Sequence, residues 1–125
     1  MTRGLLDTSV VIDIAAHLAR LPDEVAISAI TIGEIHYGVL VARTAEQRAR
    51  RLELLTFLER EVDRLPVDDD VARTFARLRA RAREENRRPR PLDLLIAATA
   101  SAHNLPLYTR DRDFASMPGF AVTVL

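Results

Sequence analysis

The sequence predicts an α/β fold with a short, mainly parallel sheet, and three observations support this. Short apolar runs at residues 5–6, 25–27 and 105–108 are typical of strands, and longer segments with helical spacing of apolar residues separate them. Polar residues follow the first and last of these runs directly, as they do at the ligand-binding edge of an open α/β sheet. With only 4 glycines, the chain lacks the residues that an all-β fold of tight hairpins needs.

Composition indicates one folded domain, and we expect it to span residues 1–125. Hydrophobic residues make up 48% and charged residues 29% of the chain, which is typical of globular proteins. The absence of cysteine excludes disulfides and thiolate metal ligands. No apolar run reaches membrane-spanning length, and Asp7 interrupts the first one too early for a signal peptide. We therefore expect a cytoplasmic protein without membrane association.

The first half of the chain is predicted to alternate strands and helices. A buried strand at residues 5–6 ends at Asp7, and a helix over residues 8–21 follows. Residues 25–27 form a second strand, reached by a right-handed crossover. The second helix covers residues 28–42, with Thr31 as its expected cap. Asp7 then lies at a ligand-binding edge, although a plain turn or capping role explains it equally well.

The second half continues this alternation and closes with an edge strand. The helix after residue 43 opens with Thr44 and Gln47 at capping-box spacing. The remaining predicted elements are a helix over 44–62, an extended link at 65–67, a helix over 68–86, a helix beginning at Pro91, a strand at 105–108 and an edge strand at 121–125.

Glu34 lies in an unusual place on the second predicted helix. It shares one helical face with Ile30, Tyr37 and Val41, where an unpaired carboxylate is unfavourable. Its side chain must either extend to solvent beside Tyr37 or bind a cation, and the helix pattern leaves both possibilities open.

Acidic residues are predicted to converge at one sheet edge. Asp7 and Asp111 follow strands, and Asp93 lies in a first helical turn, where the helix dipole favours a carboxylate whatever its function. In a parallel sheet these positions share an edge, and Glu34 can reach it from its helix. Carboxylates brought together repel each other and need cations. Oxygen ligands without cysteine favour magnesium or manganese, which can activate water against a phosphodiester.

Residues 5–9 alone also resemble two other kinds of catalytic segment. The apolar-apolar-Asp-Thr-Ser pattern is similar to the catalytic loop of dimeric aspartic proteases, but that fold is all-β. A strand ending in aspartate also begins haloacid-dehalogenase-type phosphatases, whose motif has a second aspartate where this chain has Ser9. The rest of the chain disfavours both alternatives.

Four motifs in order resemble those of the PIN-domain ribonucleases, and in particular the VapC-type toxins of bacterial toxin–antitoxin pairs. They are LDTSV at 6–10, IGEIHYG at 32–38, DLLIAATA at 93–100 and LYTRDRDF at 107–114. Each motif alone is weak, but together they cover nearly the whole chain. The resemblance implies a three-layer α/β/α sandwich.

The resemblance also implies a site and a function. The chain is expected to be a Mg²⁺-dependent endoribonuclease, with Mn²⁺ as a possible replacement, and the toxin of a type II toxin–antitoxin pair. RNA, a VapB-type antitoxin and a second copy of the chain are its expected partners. Alternatives are a PIN nuclease of RNA processing without an antitoxin and a non-catalytic RNA-binding module. The implied site comprises the catalytic residues Asp7, Glu34, Asp93 and Asp111, of which Asp7, Asp93 and Asp111 bind metal, with Ser9, Thr109 and Asp113 in support.

Asp111 and Asp113 compete for the fourth acidic position. Asp111 lies closer to the predicted strand end, so we assign it to the metal. Asp113 directly precedes Phe114, whose ring is expected in the core, and we predict that Asp113 caps a short helix there.

Binding of a polyanion must come from local charge, because the formal net charge is +0. We predict an RNA-facing rim of arginines, although they also suit a solvated helix face. The rim comprises Arg73, Arg77, Arg81, Arg87, Arg88 and Arg90. Surplus apolar stripes at residues 30–41 and 52–62 are candidates for the dimer and antitoxin interfaces.

Overall fold

Parallel strands form the centre of the fold in this computed structural model, which describes residues 1–117 and 119–125. The strands in those residues are β1 (Arg3–Leu6), β2 (Glu24–Ser28), β3 (Asp63–Leu65), β4 (Leu107–Thr109) and β5 (Val122–Val124). They pair in the order β3-β2-β1-β4-β5, and every pairing is parallel. The central strand β1 therefore directs Asp7 to the middle of the carboxyl edge.

Helices cover both faces of the sheet, as the predicted three-layer fold requires. They are α1 (Thr8–Val11), α2 (Ile14–His17), α3 (Ala29–Leu40), α4 (Ala45–Glu61), α5 (Asp69–Glu84) and α6 (Pro91–Ala102), with 3-10 helices at Leu18–Arg20 and Arg112–Ser116. Leu5 packs in the cluster that includes α5 and α6, whereas its neighbour Leu6 packs in the cluster that includes α1, α3 and α4. This alternation follows from the two-residue period of a strand. Within the described residues, no helix is both long and apolar enough to span a bilayer.

One strand was not predicted. Residues 63–65 form β3 and pair with residues 26–28 of β2, whereas the sequence predicts only an extended link at 65–67. Asp63 and Arg64 are exposed, so this strand has no apolar alternation. Charged residues are common on edge strands, where they oppose pairing with another sheet.

The first predicted helix is not continuous in the structure. Residues 8–21 divide into α1, α2 and a 3-10 turn, because Asp13 adopts φ −128° and ψ 47°, outside the helical region. The helical spacing of Val11, Ile14, Ala15 and Leu18 predicts one apolar stripe, and this break divides it. Leu18 is 65% exposed, and His17 is buried instead.

The cap of α3 is also different from the prediction. Ser28 caps the helix, since its Oγ accepts a hydrogen bond from the Ile30 amide at 3.1 Å. Thr31 lies inside the helix and is fully buried, where its hydroxyl contacts that of Thr8. The predicted cap of α4 is confirmed, because Thr44 Oγ1 accepts from the Gln47 amide at 3.0 Å.

Two asparagines end the helices that flank the site. Asn86 after α5 and Asn104 after α6 adopt the left-handed conformation, with φ of 58° and 54°. The amide of Arg87 donates to the Ala82 carbonyl at 2.7 Å, and the amide of Leu105 donates to the Ala100 carbonyl at 2.9 Å. These are the hydrogen bonds of Schellman motifs. They turn the chain sharply and place residues 87–90 in front of α6.

Candidate active site

Asp7 is a buried carboxylate held by two hydroxyl groups. It is 4% exposed, and its Oδ2 accepts hydrogen bonds from Ser9 Oγ at 2.7 Å and from Thr109 Oγ1 at 2.8 Å. Its carbonyl, not its side chain, accepts the first amides of α1. A capping role for the Asp7 carboxylate is therefore excluded, and in the described residues Oδ1 accepts no hydrogen bond.

The same two hydroxyls fix the segment after β4. Each hydroxyl has one hydrogen, which it donates to Asp7, so its remaining bonds must be accepted ones. Ser9 Oγ accepts from the Arg110 amide at 3.1 Å, and Thr109 Oγ1 accepts from the Asp111 amide at 3.0 Å. The Asp7 carboxylate thus orients residues 109–111.

Glu34 is held by a chain of threonine hydroxyls. Thr8 Oγ1 donates to Glu34 Oε1 at 2.7 Å and lies 2.9 Å from Thr31 Oγ1. Since the Thr8 hydrogen is used on the carboxylate, Thr31 must be the donor to Thr8. Glu34 is therefore held toward Thr8 and is half-buried, whereas Tyr37 is 66% exposed. Sequence reasoning missed both threonines, although Thr31 precedes Glu34 by three residues on the same helix face.

Asp93 is paired with an arginine in the first turn of α6. Arg90 Nε donates to Oδ2 at 2.9 Å and Arg90 Nη2 donates to Oδ1 at 3.0 Å, so both carboxylate oxygens are occupied. The hydrogen bonds and charge of Asp93 raise the pKa of Arg90, and the charges of Glu34 and Asp7 raise it further. The guanidinium therefore lies in the field of three of the predicted acids.

The capping role predicted for Asp113 belongs to Asp111. Asp111 Oδ1 accepts from the Asp113 amide at 2.9 Å, and Asp111 is the N-cap of the 3-10 helix Arg112–Ser116. Asp113 already lies in the first turn, too late in the chain to cap it. The predicted short helix and the buried Phe114 are both present.

A cavity of about 550 Å³ lies beside Asp93 and Asp111. Three acids, Asp93, Asp111 and Asp113, and three of the six predicted arginines line it. The structure divides that arginine set in two. Arg87, Arg88 and Arg90 line the cavity, whereas Arg73, Arg77 and Arg81 line depressions beside Ser101, near the far end of α6. At ~1.5 Å per residue, Ser101 lies about 12 Å along the helix axis from Asp93.

The acids share an edge but are not gathered into a chelating cluster. Within residues 1–117 and 119–125, no three acidic or histidine side chains are placed to hold one ion together. Each of the four acids has its own local donor instead. The donor set nevertheless suits a hard divalent cation, because it is all oxygen and because Asp7 is buried with hydroxyls, not cations, as its hydrogen-bond partners.

Substitution of Asp111 can separate capping from charge. In D111A, loss of the cap should lower the free energy of unfolding by about 1 kcal/mol in urea titrations with EDTA. D111N keeps an oxygen for the Asp113 amide, so it should retain stability while its Mn²⁺ affinity, measured by calorimetry, falls. D113A should change stability little. A larger destabilisation by D113A than by D111A would return the cap to Asp113, and a metal loss confined to D113N would make Asp113 the ligand.

Comparison with known proteins identifies the family. The PIN domain family matches residues 4–119. Ribonuclease VapC5 of Mycobacterium tuberculosis is 45% identical over 122 residues, which span 94% of this chain and 90% of that protein. Ribonuclease VapC4 of the same organism is 38% identical, over 98% of this chain and 97% of that protein.

A solved structure agrees with these relatives. The crystal structure of VapBC-5 from Mycobacterium tuberculosis, a member of the VapBC family of toxin–antitoxin systems, contains a chain that matches this fold with a TM-score of 0.86. The two chains are 44% identical, and the match covers 100% of this chain and 98% of the other. The family predicted from the four motifs is confirmed: the chain belongs to the PIN-domain family and, within it, to the VapC ribonucleases.

Proposed function

We propose that this chain cleaves RNA as the ribonuclease toxin of a type II toxin–antitoxin pair, and that Mg²⁺ or Mn²⁺ supports the cleavage. The observation that carries the proposal is the carboxyl edge of the sheet, where Asp7, Glu34, Asp93 and Asp111 lie on four different elements of a VapC-like fold. Residues 1–125 would form one PIN domain. RNA and an antitoxin are both cytoplasmic molecules, so we expect the protein to act there.

The proposed site assigns a separate task to each acid. Asp7, Asp93 and Asp111 would hold the divalent cation, which supplies charge neutralisation at the phosphate and a more acidic water. Glu34 accepts the Thr8 hydroxyl at Oε1, which leaves Oε2 free to accept a proton from the attacking water. As the water oxygen bonds to phosphorus, one phosphodiester P–O bond breaks, and the leaving ribose oxygen takes a proton from solvent. Glu34 then returns the proton that it accepted to solvent.

The acid set also weighs against a non-catalytic module. A binding surface for RNA does not need carboxylates, which repel phosphates. A PIN nuclease of RNA processing would keep the same site, so only an antitoxin distinguishes that alternative. Finding a small open reading frame beside the gene would favour the toxin, and its absence would favour RNA processing.

Asp93→Asn tests the proposed chemistry most directly. The substitution keeps the side-chain size but removes the negative charge, so cleavage of total cellular RNA in Mg²⁺ should fall by roughly 100-fold or more, as expected for a group acting at the reacting atoms. Asp69→Asn is the matched control, since Asp69 is an exposed aspartate in the first turn of α5. Cleavage by D93N at the rate of the parent and of D69N would exclude Asp93 from the site.

We propose that RNA reaches the acids along the arginines of the cavity. Arg87 is positioned by a hydrogen bond of 2.6 Å to Ser116 Oγ, and Arg88 is exposed beside it. Arg90 completes this group on the side of Asp93. Ion pairing does not separate the two groups, because Arg73 is paired with Asp70 at 3.6 Å and Arg87 with Glu85 at 3.7 Å. A path for phosphates past the cavity is better supported than one along α5 because the cavity arginines lie beside the proposed catalytic acids.

Salt dependence distinguishes the two arginine groups. Each lost phosphate contact lowers the slope of log affinity against log salt by about 0.7 for single-stranded RNA, so R87Q/R88Q should lower it by about 1.4. Anisotropy of a labelled single-stranded RNA in EDTA measures binding without metal-dependent cleavage. R73Q/R77Q is the matched double variant and should leave the slope unchanged. A slope lowered by R73Q/R77Q alone would move the RNA path to α5.

We propose that the antitoxin covers an apolar groove between α2, α3 and α4. The groove has a volume of about 530 Å³. Ile12, Ile14, Tyr37, Val41 and Leu54 contribute its apolar lining, and Glu34 lies at its border. A partner bound there would contact both the apolar stripe predicted from the sequence and a catalytic acid. The exposed Phe57 and Leu52 on α4 lie outside this groove, and we assign that surface to a homodimer.

Two equally exposed apolar residues test this division of surfaces. Val41 is 47% exposed and lines the groove, whereas Leu52 is 48% exposed and does not. V41D should abolish co-purification with a co-expressed VapB-type antitoxin encoded beside the gene, and L52D should not. Light scattering on each protein alone reports the dimer, which only L52D should dissociate. If V41D instead dissociates the dimer and still binds the antitoxin, the groove is the dimer interface and the surface around Leu52 binds the antitoxin.

A further inference from the structure

Arg90 and Asp93 form an ion pair with very unequal exposure. The carboxylate side chain of Asp93 is 15% exposed, whereas the Arg90 side chain is 77% exposed. The guanidinium therefore covers the carboxylate from the solvent side and uses both of its oxygens. Any other cation that approaches Asp93 from solvent must compete with this arginine.

Among the four proposed catalytic acids, Asp93 differs in its partner. Asp7 and Glu34 are held by hydroxyls, and Asp111 by a backbone amide. A neutral donor orients a carboxylate without cancelling its charge, so those three remain attractive to a cation. The guanidinium neutralises Asp93, and its position also lets it interact with the charges of Glu34 and Asp7.

We propose that Arg90 is an internal counter-ion that occupies Asp93 until a divalent cation binds, and that its released guanidinium then contacts an RNA phosphate. This inference rests on the proposed metal-dependent function and assigns Arg90 a positioning role within it. Arg90 exchanges one anionic partner for another, so metal loading and RNA binding become coupled through one side chain.

The local backbone allows this exchange without a rearrangement of the loop. Arg90 lies between Pro89 and Pro91, and its φ of −63° and ψ of 139° are the extended values favoured before proline. Pro91 begins α6, so Asp93 is fixed by the helix. Release therefore requires rotation of the Arg90 side chain alone. Because the guanidinium is largely solvated, the pair is weak and is displaced at the expense of no more than roughly tenfold in metal affinity.

Calorimetric titration of the metal-free protein with MnCl₂ at low ionic strength tests the proposal. R90Q should bind Mn²⁺ roughly 3- to 10-fold more tightly than the parent, because Asp93 is freed. R88Q is the matched control, since it removes one positive charge from the same cavity without touching Asp93, and it should change the affinity by less than twofold. R90K keeps the charge but not the bidentate contact with Asp93, so it should give an intermediate Mn²⁺ affinity.

A second readout follows the released guanidinium. In cleavage assays R90Q should require less Mn²⁺ for half-maximal rate but show a higher KM for RNA, so that one substitution moves two constants in opposite directions. A lower KM, or Mn²⁺ binding by R90Q no tighter than by R88Q, would overturn the Arg90 proposal and leave the metal site intact. A parent protein that binds neither Mn²⁺ nor Mg²⁺ would overturn the proposed metal-dependent function itself, and this inference with it.

Discussion

The arrangement of the site depends on one buried carboxylate, that of Asp7. It follows the central strand of the sheet and is almost fully removed from water, where an ionised group without partners is strongly disfavoured. Ser9 and Thr109 supply those partners from both sides, one from α1 and one from β4. Because each hydroxyl then accepts an amide of residues 110–111, the carboxylate fixes the direction in which the chain leaves the sheet. Asp111 is positioned by this segment, so the placement of one acid determines the placement of another.

Parallel topology explains why the positions of Asp7 and Asp93 at one sheet edge could be predicted, although their hydrogen-bond partners could not. A strand end and a helix start lie at the same edge whatever side chains they carry, so Asp7 and Asp93 follow from the order of elements alone. Apolar patterns also predicted α4 and α6 correctly, and Pro91 marks the start of α6. Acids at the start and arginines later along the segment predicted α5. These features depend on local sequence and on one simple rule of topology.

The errors arise where tertiary contacts decide between similar local options. Both Ser28 and Thr31 are good capping residues, and only the end of β2 determines that the helix begins after Ser28. Asp111 and Asp113 differ by two positions, and the hydrogen bond from the Asp111 amide to Thr109 selects the former as the cap. β3 lacks an apolar pattern because it is an exposed edge strand, stabilised by its pairing with β2. The separation of the six arginines into two groups likewise depends on how α5 packs against α6. The spacing of apolar residues along the sequence does not predict that packing.

Neutral donors and a cationic donor have different consequences for acids that are proposed to bind metal. Ser9 and Thr109 both bond to Oδ2 of Asp7, so the other oxygen can meet a cation while the hydroxyl contacts persist. Thr8 likewise occupies only Oε1 of Glu34. A hydroxyl stabilises the ionised carboxylate through a hydrogen bond and leaves its charge in place. These contacts therefore keep Asp7 and Glu34 oriented in both metal-free and metal-bound protein.

A guanidinium cannot serve in the same way, because it both fills the carboxylate oxygens and repels a second cation. Its use at Asp93 lowers the repulsion among the acids while the metal is absent. It is also placed where exchange is easiest, on the solvent side and next to a proline-framed backbone. Asp7 and Glu34 are thus held by hydroxyl groups at the sheet edge, whereas Asp93 is held by the charged and exposed Arg90. On the proposed function, this division would lower the repulsion among four acids at one edge without a metal and would still leave Asp93 able to accept one.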